Sequence, residues 1–525
     1  MARQTPVISD FTLGLNDSLD PDRLKDNELQ GVLNMHPNLT GNVTSRGGQT
    51  TVVTASTTAQ GHVTGFFEAE SSTGGVYAIK AVNATAAQLF YKLTDANVSS
   101  VISKGSGVTG PLGVKWRFVF FQDRFIGVAP GWPVIDWYVA TGSVTANILG
   151  GTPVTGGAGV TAPIDIAIWN SRVCLAQGVE VYISDASEAE DWLSGDAQVL
   201  RFRGATFGEE DITAIYPFGG DLIVFKESSI WQVSPGNGLS SSWEIKQIGS
   251  GVGCDARLSI VDIGRDLVWL SGPGFNSLAD IRDRGGKAVD GRISQKINRT
   301  IISQMNSTSL GNAVGIYNPD LEEYMCSIPG TSGTTSNTKV VVLSTRWTAV
   351  NEAPSWWPYA YTTNLTAFCR RKSAGLDVIQ AGGTNGAVYE LNDTSTNSDD
   401  GTVFEKYMET KRYSFGNFTD NKVFRKISVD ITQEQSFDID VYIKINDESR
   451  TKSYTTDIVG SGAEWDSAYW DVDDWVDVFK GADRRDIQYV GRNIQVKLSN
   501  DSDNQSMAIN KILIEYEPIT EDLAL

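Results

Sequence analysis

Histidine is almost absent: His36 and His62 are the two in a chain of 525 residues. Serine and cysteine nucleophiles need a neighbouring base, usually imidazole, so the shortage argues against a His-based hydrolase. Cysteine is scarce too. Cys174, Cys254, Cys326 and Cys369 lie far apart with no CxxC pair, which speaks against a Cys/His zinc site and for buried free thiols. Positive charge is short, with 43 Lys and Arg against 63 Asp and Glu, a net charge of −20. A protein that grips nucleic acid neutralises phosphates with clustered cations, and this balance does the opposite. No window reaches the ~20 apolar residues of a membrane helix, so no membrane insertion is expected. The opening MARQTPVISDFTLG lacks the apolar core of a secretory signal, and a cytosolic origin is the expectation. P-loop, dinucleotide and nucleophile-elbow motifs are missing, and GVGCDARLS near 251–259 is glycine-rich without their strand–loop–helix setting. No cofactor, metal or catalytic residue is assigned, and the expectation is a protein that is not an enzyme.

What the chain has in abundance is glycine, 52 against 16 prolines, between short apolar runs. That texture predicts a turn-rich, mainly β protein. A repeat runs through the first four hundred residues. DIAIWNSRVCLAQGVEVYIS (165–184), DITAIYPFGGDLIVFKESSIWQV (211–233) and LSIVDIGRDLVWLSGPGFNSL (258–278) each read as strand, tight turn, strand, turn, strand. Looser copies flank them, placing first turns near 74, 122, 170, 219, 264, 319 and 374, at spacings of 45 to 55 residues. Units of that length with three or four strands match propeller blades, which bury their faces by stacking radially. The reading is a β-propeller of six or seven blades over 51–395, with Tyr182, Trp231 and Tyr389 wedged between neighbouring sheets.

Two regions break the period. Residues 1–50 form an N-terminal docking segment in which PDRLKDNELQGVLNM is a short helical candidate, with Leu24, Leu29 and Leu33 on one face. Residues 402–525 contain RKISVDITQ, FDIDVYIKI, RNIQVKLSN and KILIEYEP, each alternating apolar and polar. They predict an antiparallel β-sandwich-like tip or docking domain beyond a linker at 392–401.

Paired carboxylates are the catalytic alternative, since glycosidases on propellers set two acids roughly 5–9.5 Å apart. Asp136, Asp185, Asp221 and Asp262 sit at predicted strand ends, where turn residues also accept backbone N–H bonds. The segment EWDSAYWDVDDWVDVF (464–479) carries Trp465, Trp470 and Trp475 beside Asp473 and Asp474. It reads either as a partner-docking loop, with calcium or sugar as lesser options, or as tryptophans packed beneath the sandwich. It lacks the glycine and terminal glutamate of an EF-hand.

The stretch FTLGLNDSLDPDRLKDNELQGVLNMHPNLTGNVTSRGG resembles the opening of tail nozzle (tail tube, or DNA-stabilisation) proteins of short-tailed bacteriophages. RVCLAQGVEVYISDASEAEDW, GEEDITAIYPFGGDLIVFKESSIWQV, IGSGVGCDARLSIVDIGRDLVWLSGPGFNSL and RISQKIN, in that order, resemble the family's propeller core. The likeness covers roughly residues 10–50 and 160–300. It implies a hexameric ring below the portal and adaptor in the virion tail, assembled in the host cytoplasm, with a fibre or needle-like spike as further partner. Genome DNA would pass through without specific binding, and an acidic wall suits that by repelling phosphate over a Debye length of about 8 Å. Within this picture Asn16, Leu24, Leu29, Arg46 and Gly47 are candidate inter-subunit or adaptor contacts. The plain alternatives are packing of the leucines on their own propeller and a local turn with a surface ion pair at Arg46. The rival function is a carbohydrate-binding, receptor-recognition propeller, favoured by 14 Trp and 17 Tyr.

Overall fold

The computed structural model describes residues 3–519 apart from 55–60, 85–86, 95, 140–144, 151–159, 204–208, 238, 273, 284–291, 332, 374–375, 433–436, 447, 459–479 and 502–505. Seven antiparallel blades follow one another along the chain, the first two joined into one eight-stranded sheet by a parallel pairing of Ser103-Lys104 with Thr145-Ala146. Blade one is built from His62–Glu70, Val76–Asn83, Gln88–Leu93 and Ser99–Lys104. Blade two runs from Arg117–Phe121 to Thr145–Ile148, blade three from Asp165–Trp169 to Gln198–Arg201, and blade four from Ile212–Phe218 to Glu244–Ser250. Blade five has three strands, from Val261–Asp262 to Gly274–Ser277, and blade six runs from Val314–Asn318 to Ser355–Tyr359. Blade seven takes Leu365–Ser373, Leu376–Gly383 and Val388–Asp393 from the end of the repeat and its outermost strand, Gly48–Val53, from the N-terminus. That borrowed strand fastens the circle. The fold is thus mainly β, a propeller with an antiparallel β-sandwich-like unit, as the repeat and the alternating C-terminal strands predict, and of the six or seven blades expected the structure has seven.

Local chemistry explains the hairpins. Their turns need positive φ, and the chain supplies Gly74, Asn170-Ser171, Gly219-Gly220 and Gly264 there. Gln122 and Asp123 adopt the same conformation without being glycine, at φ 52° and 55°. Apolar clusters then fill the wedges: Trp116, Phe118 and Phe90 between blades one and two, and Trp169, Ile215 and Val224 between blades three and four. Hydrogen bonds stitch one inner strand to the next, as in Thr366 Oγ1 to the Val63 carbonyl (2.7 Å) and Trp116 N to the Thr64 carbonyl (2.9 Å). All four cysteines are buried free thiols, and burial pushes Cys326 up to about 12.

The second unit is woven into the propeller. One of its sheets holds Lys480–Gly491, Lys422–Thr432 and Ala508–Pro518, extended by N-terminal Val43–Ser45 and Met35–Pro37. The other runs Glu448–Ile458, Phe437–Ile445, Ile494–Asn500, Lys406–Thr410, Glu28–Leu33 and Gly14–Leu15, and continues into blade six through Gly14 beside Trp356. The helical candidate at the N-terminus is corrected here. Only Pro21–Arg23 makes a 3₁₀ turn, while Glu28–Leu33 is a strand paired with Lys406–Thr410. Tertiary pairing with a strand nearly four hundred residues away outweighs its local leucine spacing. The stretch read as a linker is packed, with Ser398 and Asp399 buried.

Candidate functional site at the propeller axis

Seven inner strands stand side by side around one axis and enclose a cavity of about 670 Å³. Each blade contributes to its wall: Phe67, Val119, Ile168, Tyr216, Val261, Ile316 and Phe368, in blade order. The wall is therefore largely apolar and aromatic, the composition of a small-molecule site.

One end is closed by side chains that cross the axis. Asp165, fully buried at the start of its strand, accepts Arg257 Nη1 on Oδ1 and forms an ion pair with Arg117 Nε through the same oxygen, both at 3.2 Å. Its Oδ2 accepts the Ile215 amide at 2.9 Å. Arg117 also donates to the carbonyls of Ile215 (3.2 Å) and Arg257, and Arg257 Nη2 donates to the Lys115 carbonyl at 2.5 Å. Lys115 Nζ reaches the Thr366 carbonyl at 2.5 Å. Blades two, three, four, five and seven are tied together this way, and inner-strand carbonyls that face no neighbouring strand gain partners. Burial, reinforced by the charge of Arg257, pushes Lys115 down to about 7. Burial also lowers Arg257 against the opposing pull of Asp165, and lowers His62, with Lys115 adding to that effect.

At the opposite end Glu68, the one carboxylate in the wall among the described residues, is held by Arg371 Nε and the Lys372 amide, both at 2.7 Å. The acids singled out from the sequence lie elsewhere. Asp136 sits on the third strand of blade two near Arg124 (3.5 Å), where burial raises its pKa. Asp185 follows the third strand of blade three and caps the Asp196 amide (2.9 Å). Asp221 opens the second strand of blade four, and Asp262 closes the first strand of blade five by accepting the Gly264 amide (2.7 Å). Four blades hold one each, and none lines the cavity.

The residues read as candidate contacts sit inside their own chain. Asn16 is buried, its Nδ2 donating to Glu28 Oε2 at 2.9 Å, and Leu24 and Leu29 are core residues. Arg46 lies wholly inside, with both guanidinium amines on the two oxygens of Asp399 at 2.9 Å. Tyr361 and Phe404 cover its guanidinium at 4.0 and 3.8 Å. At Gly47 a Cβ would stand 2.5 Å from the carbonyl carbon of Asn392. These residues join the N-terminus to blade seven and the sandwich within the chain. Trp465, Trp470, Asp473, Asp474 and Trp475 lie outside the described residues. Sequence reasoning missed Lys115, Asp165 and Arg257. The available signal was position: Asp165 opens its inner strand, Lys115 stands two residues before one, and Arg257 stands four residues before one, on the 3₁₀ turn Arg257–Ser259.

Fold and axis together define the class: a propeller closed by an N-terminal strand, with an apolar axial chamber plugged at one end by charge. No family model and no curated protein matches the chain. Among solved structures it is similar in shape to the crystal structure of an ancestral GH74 enzyme, at 11% identity and a TM-score of 0.41 over 67% of this chain. The match spans 53% of that chain, about half its length. A matched structure that is an enzyme overturns the expectation that the present chain is not one, and that exclusion is withdrawn. A likeness this distant carries no argument about a reaction.

Proposed function

We propose that the chain is a structural virion protein, a tail nozzle subunit whose six copies form a ring below the portal and adaptor. The ring retains genome DNA and then passes it during ejection. The observation that carries this reading is mechanical. Propeller and sandwich share a ten-stranded sheet, and the N-terminal segment threads through both units before fastening blade seven. A wall under load needs such a hingeless subunit, and the N-terminal resemblance to nozzle proteins covers the threading segment. The net charge of −20 supports a conduit, since like charge keeps duplex DNA from adhering. The propeller's own axis is not that conduit, because its chamber is small and plugged. The channel is the space that the ring encloses, with the adaptor above and a fibre or spike below.

Native mass spectrometry and negative-stain averages of the purified chain, alone and with its adaptor, test this. Rings near six times 56.9 kDa with an open centre are expected. Duplex DNA should show no measurable binding at low salt. Single discs that never assemble, or tight DNA binding, would sink the reading, and glycan recognition by such discs would put the receptor-binding alternative in its place.

A further inference from the structure

We propose that the axial chamber is a binding site for an amphiphile with an anionic head, such as a medium-chain carboxylate, lying head-first against Lys115 with its apolar body along the shaft.

Charge is the first support. The plug gathers three cations, Lys115, Arg117 and Arg257, around a single carboxylate, Asp165, which both arginines share. Lys115 has no ion pair among the described residues, and its one hydrogen-bond acceptor is the neutral Thr366 carbonyl. Excess positive charge held away from water is costly unless an anion compensates it. The chain is strongly acidic elsewhere, so this local excess is not a reflection of its composition.

Shape is the second. Arg117 lines the chamber, and Lys115 and Arg257 directly precede the lining residues Trp116 and Leu258. Through Arg117 the charged plug therefore adjoins the end of the same cavity whose walls are Val119, Ile168, Ile316 and Phe368. A volume of about 670 Å³ falls within the range of roughly 300–1,000 Å³ typical of small-molecule sites. Inorganic phosphate would leave the apolar shaft unfilled, and an uncharged alkane would leave Lys115 uncompensated.

The groups facing Lys115 are Arg257 before blade five, His62 on blade one and the Thr366 carbonyl on blade seven, and Arg257 is in turn paired with Asp165 on blade three, which also pairs with Arg117. With its free pKa down near 7, Lys115 takes up a proton when an anion docks, so binding weakens as pH rises from 6 to 8.5.

The probe is dodecanoate, titrated calorimetrically and by the fluorescence of Trp116 and its neighbours, with dodecyltrimethylammonium and inorganic phosphate as comparisons. Dodecanoate should bind and both comparisons fail. Lys115→Met should weaken dodecanoate roughly ten- to a hundredfold, the worth of a charge-assisted hydrogen bond, and abolish the pH dependence. Val119→Trp, which fills the shaft and leaves the plug intact, should also remove binding. Circular dichroism and melting curves check that both variants fold. No dodecanoate binding, equal binding of the cationic amphiphile, or phosphate binding as tightly as dodecanoate would each overturn the proposal. The readout is the single subunit, so its failure is separate from failure of ring assembly.

Discussion

Replacing Arg46 with alanine removes the cation from a junction that no solvent reaches. The guanidinium makes five hydrogen bonds: two to Asp399 at 2.9 Å, one to Asn34 Oδ1 at 3.0 Å, and two to the carbonyls of Gly47 (2.9 Å) and Ala360 (2.7 Å). Both partner side chains are fully buried, so the truncation leaves the Asp399 carboxylate stranded with the Thr362 amide, 3.1 Å away, as its remaining side-chain contact of this kind. Breaking a buried pair costs about 3–5 kcal/mol, chiefly because the surviving charge stays buried. Lys372 and Glu70, 57% and 55% exposed and 3.4 Å apart, form the surface counterpart, and cutting that pair should cost about 0–1 kcal/mol. With an unfolding entropy of roughly 2.1 cal/mol/K per residue over 525 residues, 4 kcal/mol lowers Tm by only ~4 °C for global unfolding. The sharper assay is limited proteolysis within 392–401, which reports local opening of the junction. Arg46→Lys should rescue little, because an ammonium has neither the two-pronged geometry nor the flat faces that Tyr361 and Phe404 cover. Equal melting and cleavage of Arg46→Ala and Lys372→Ala would refute the reasoning.

Two further outcomes concern backbone and titration. Gly14→Ala should cost about 2–4 kcal/mol, since φ is +63° and the new Cβ would sit 2.4 Å from the Trp356 carbonyl oxygen. Gly74→Ala, at φ +81° with open space around it, should cost only about 1–2 kcal/mol, and urea melts of the two decide whether the close approach matters. Lys80 is buried, donates to the Gly386 carbonyl at 3.1 Å, and is pushed down to about 8 by its burial. Between pH 8 and its ordinary 10.5 the unfolded chain binds the extra proton, so stability rises with pH in that window. Relative to Lys80→Met, the parent protein should gain stability from pH 8 to pH 10, and a flat difference in Tm would contradict the burial argument.

The periodic part of the fold was legible because its signals are local. Turn residues that tolerate positive φ recur near 74, 122, 170, 219 and 264, and each separates two apolar strands whose length a hairpin fixes. Alternation in 422–432, 437–445, 494–500 and 508–518 likewise comes from residues that must face one core. The blade count was not legible, because blade seven is completed by a strand that precedes all the others. For the same reason residues 24–33 read as a helix: their strand exists only through pairing with Lys406–Thr410.

The sequence by itself determined a turn-rich β architecture, a repeat of about fifty residues, strong acidity and a shortage of imidazole and thiol, since each is a property of composition or of neighbours along the chain. Tertiary structure alone decided the rest. It put Arg46 on Asp399, 353 residues later, and closed the circle with Gly48–Val53. It also brought Lys115, Arg117, Asp165 and Arg257 to one end of one axis. Radial stacking of blades converts positions separated by whole repeats into neighbours, and no spacing within a single repeat carries that information.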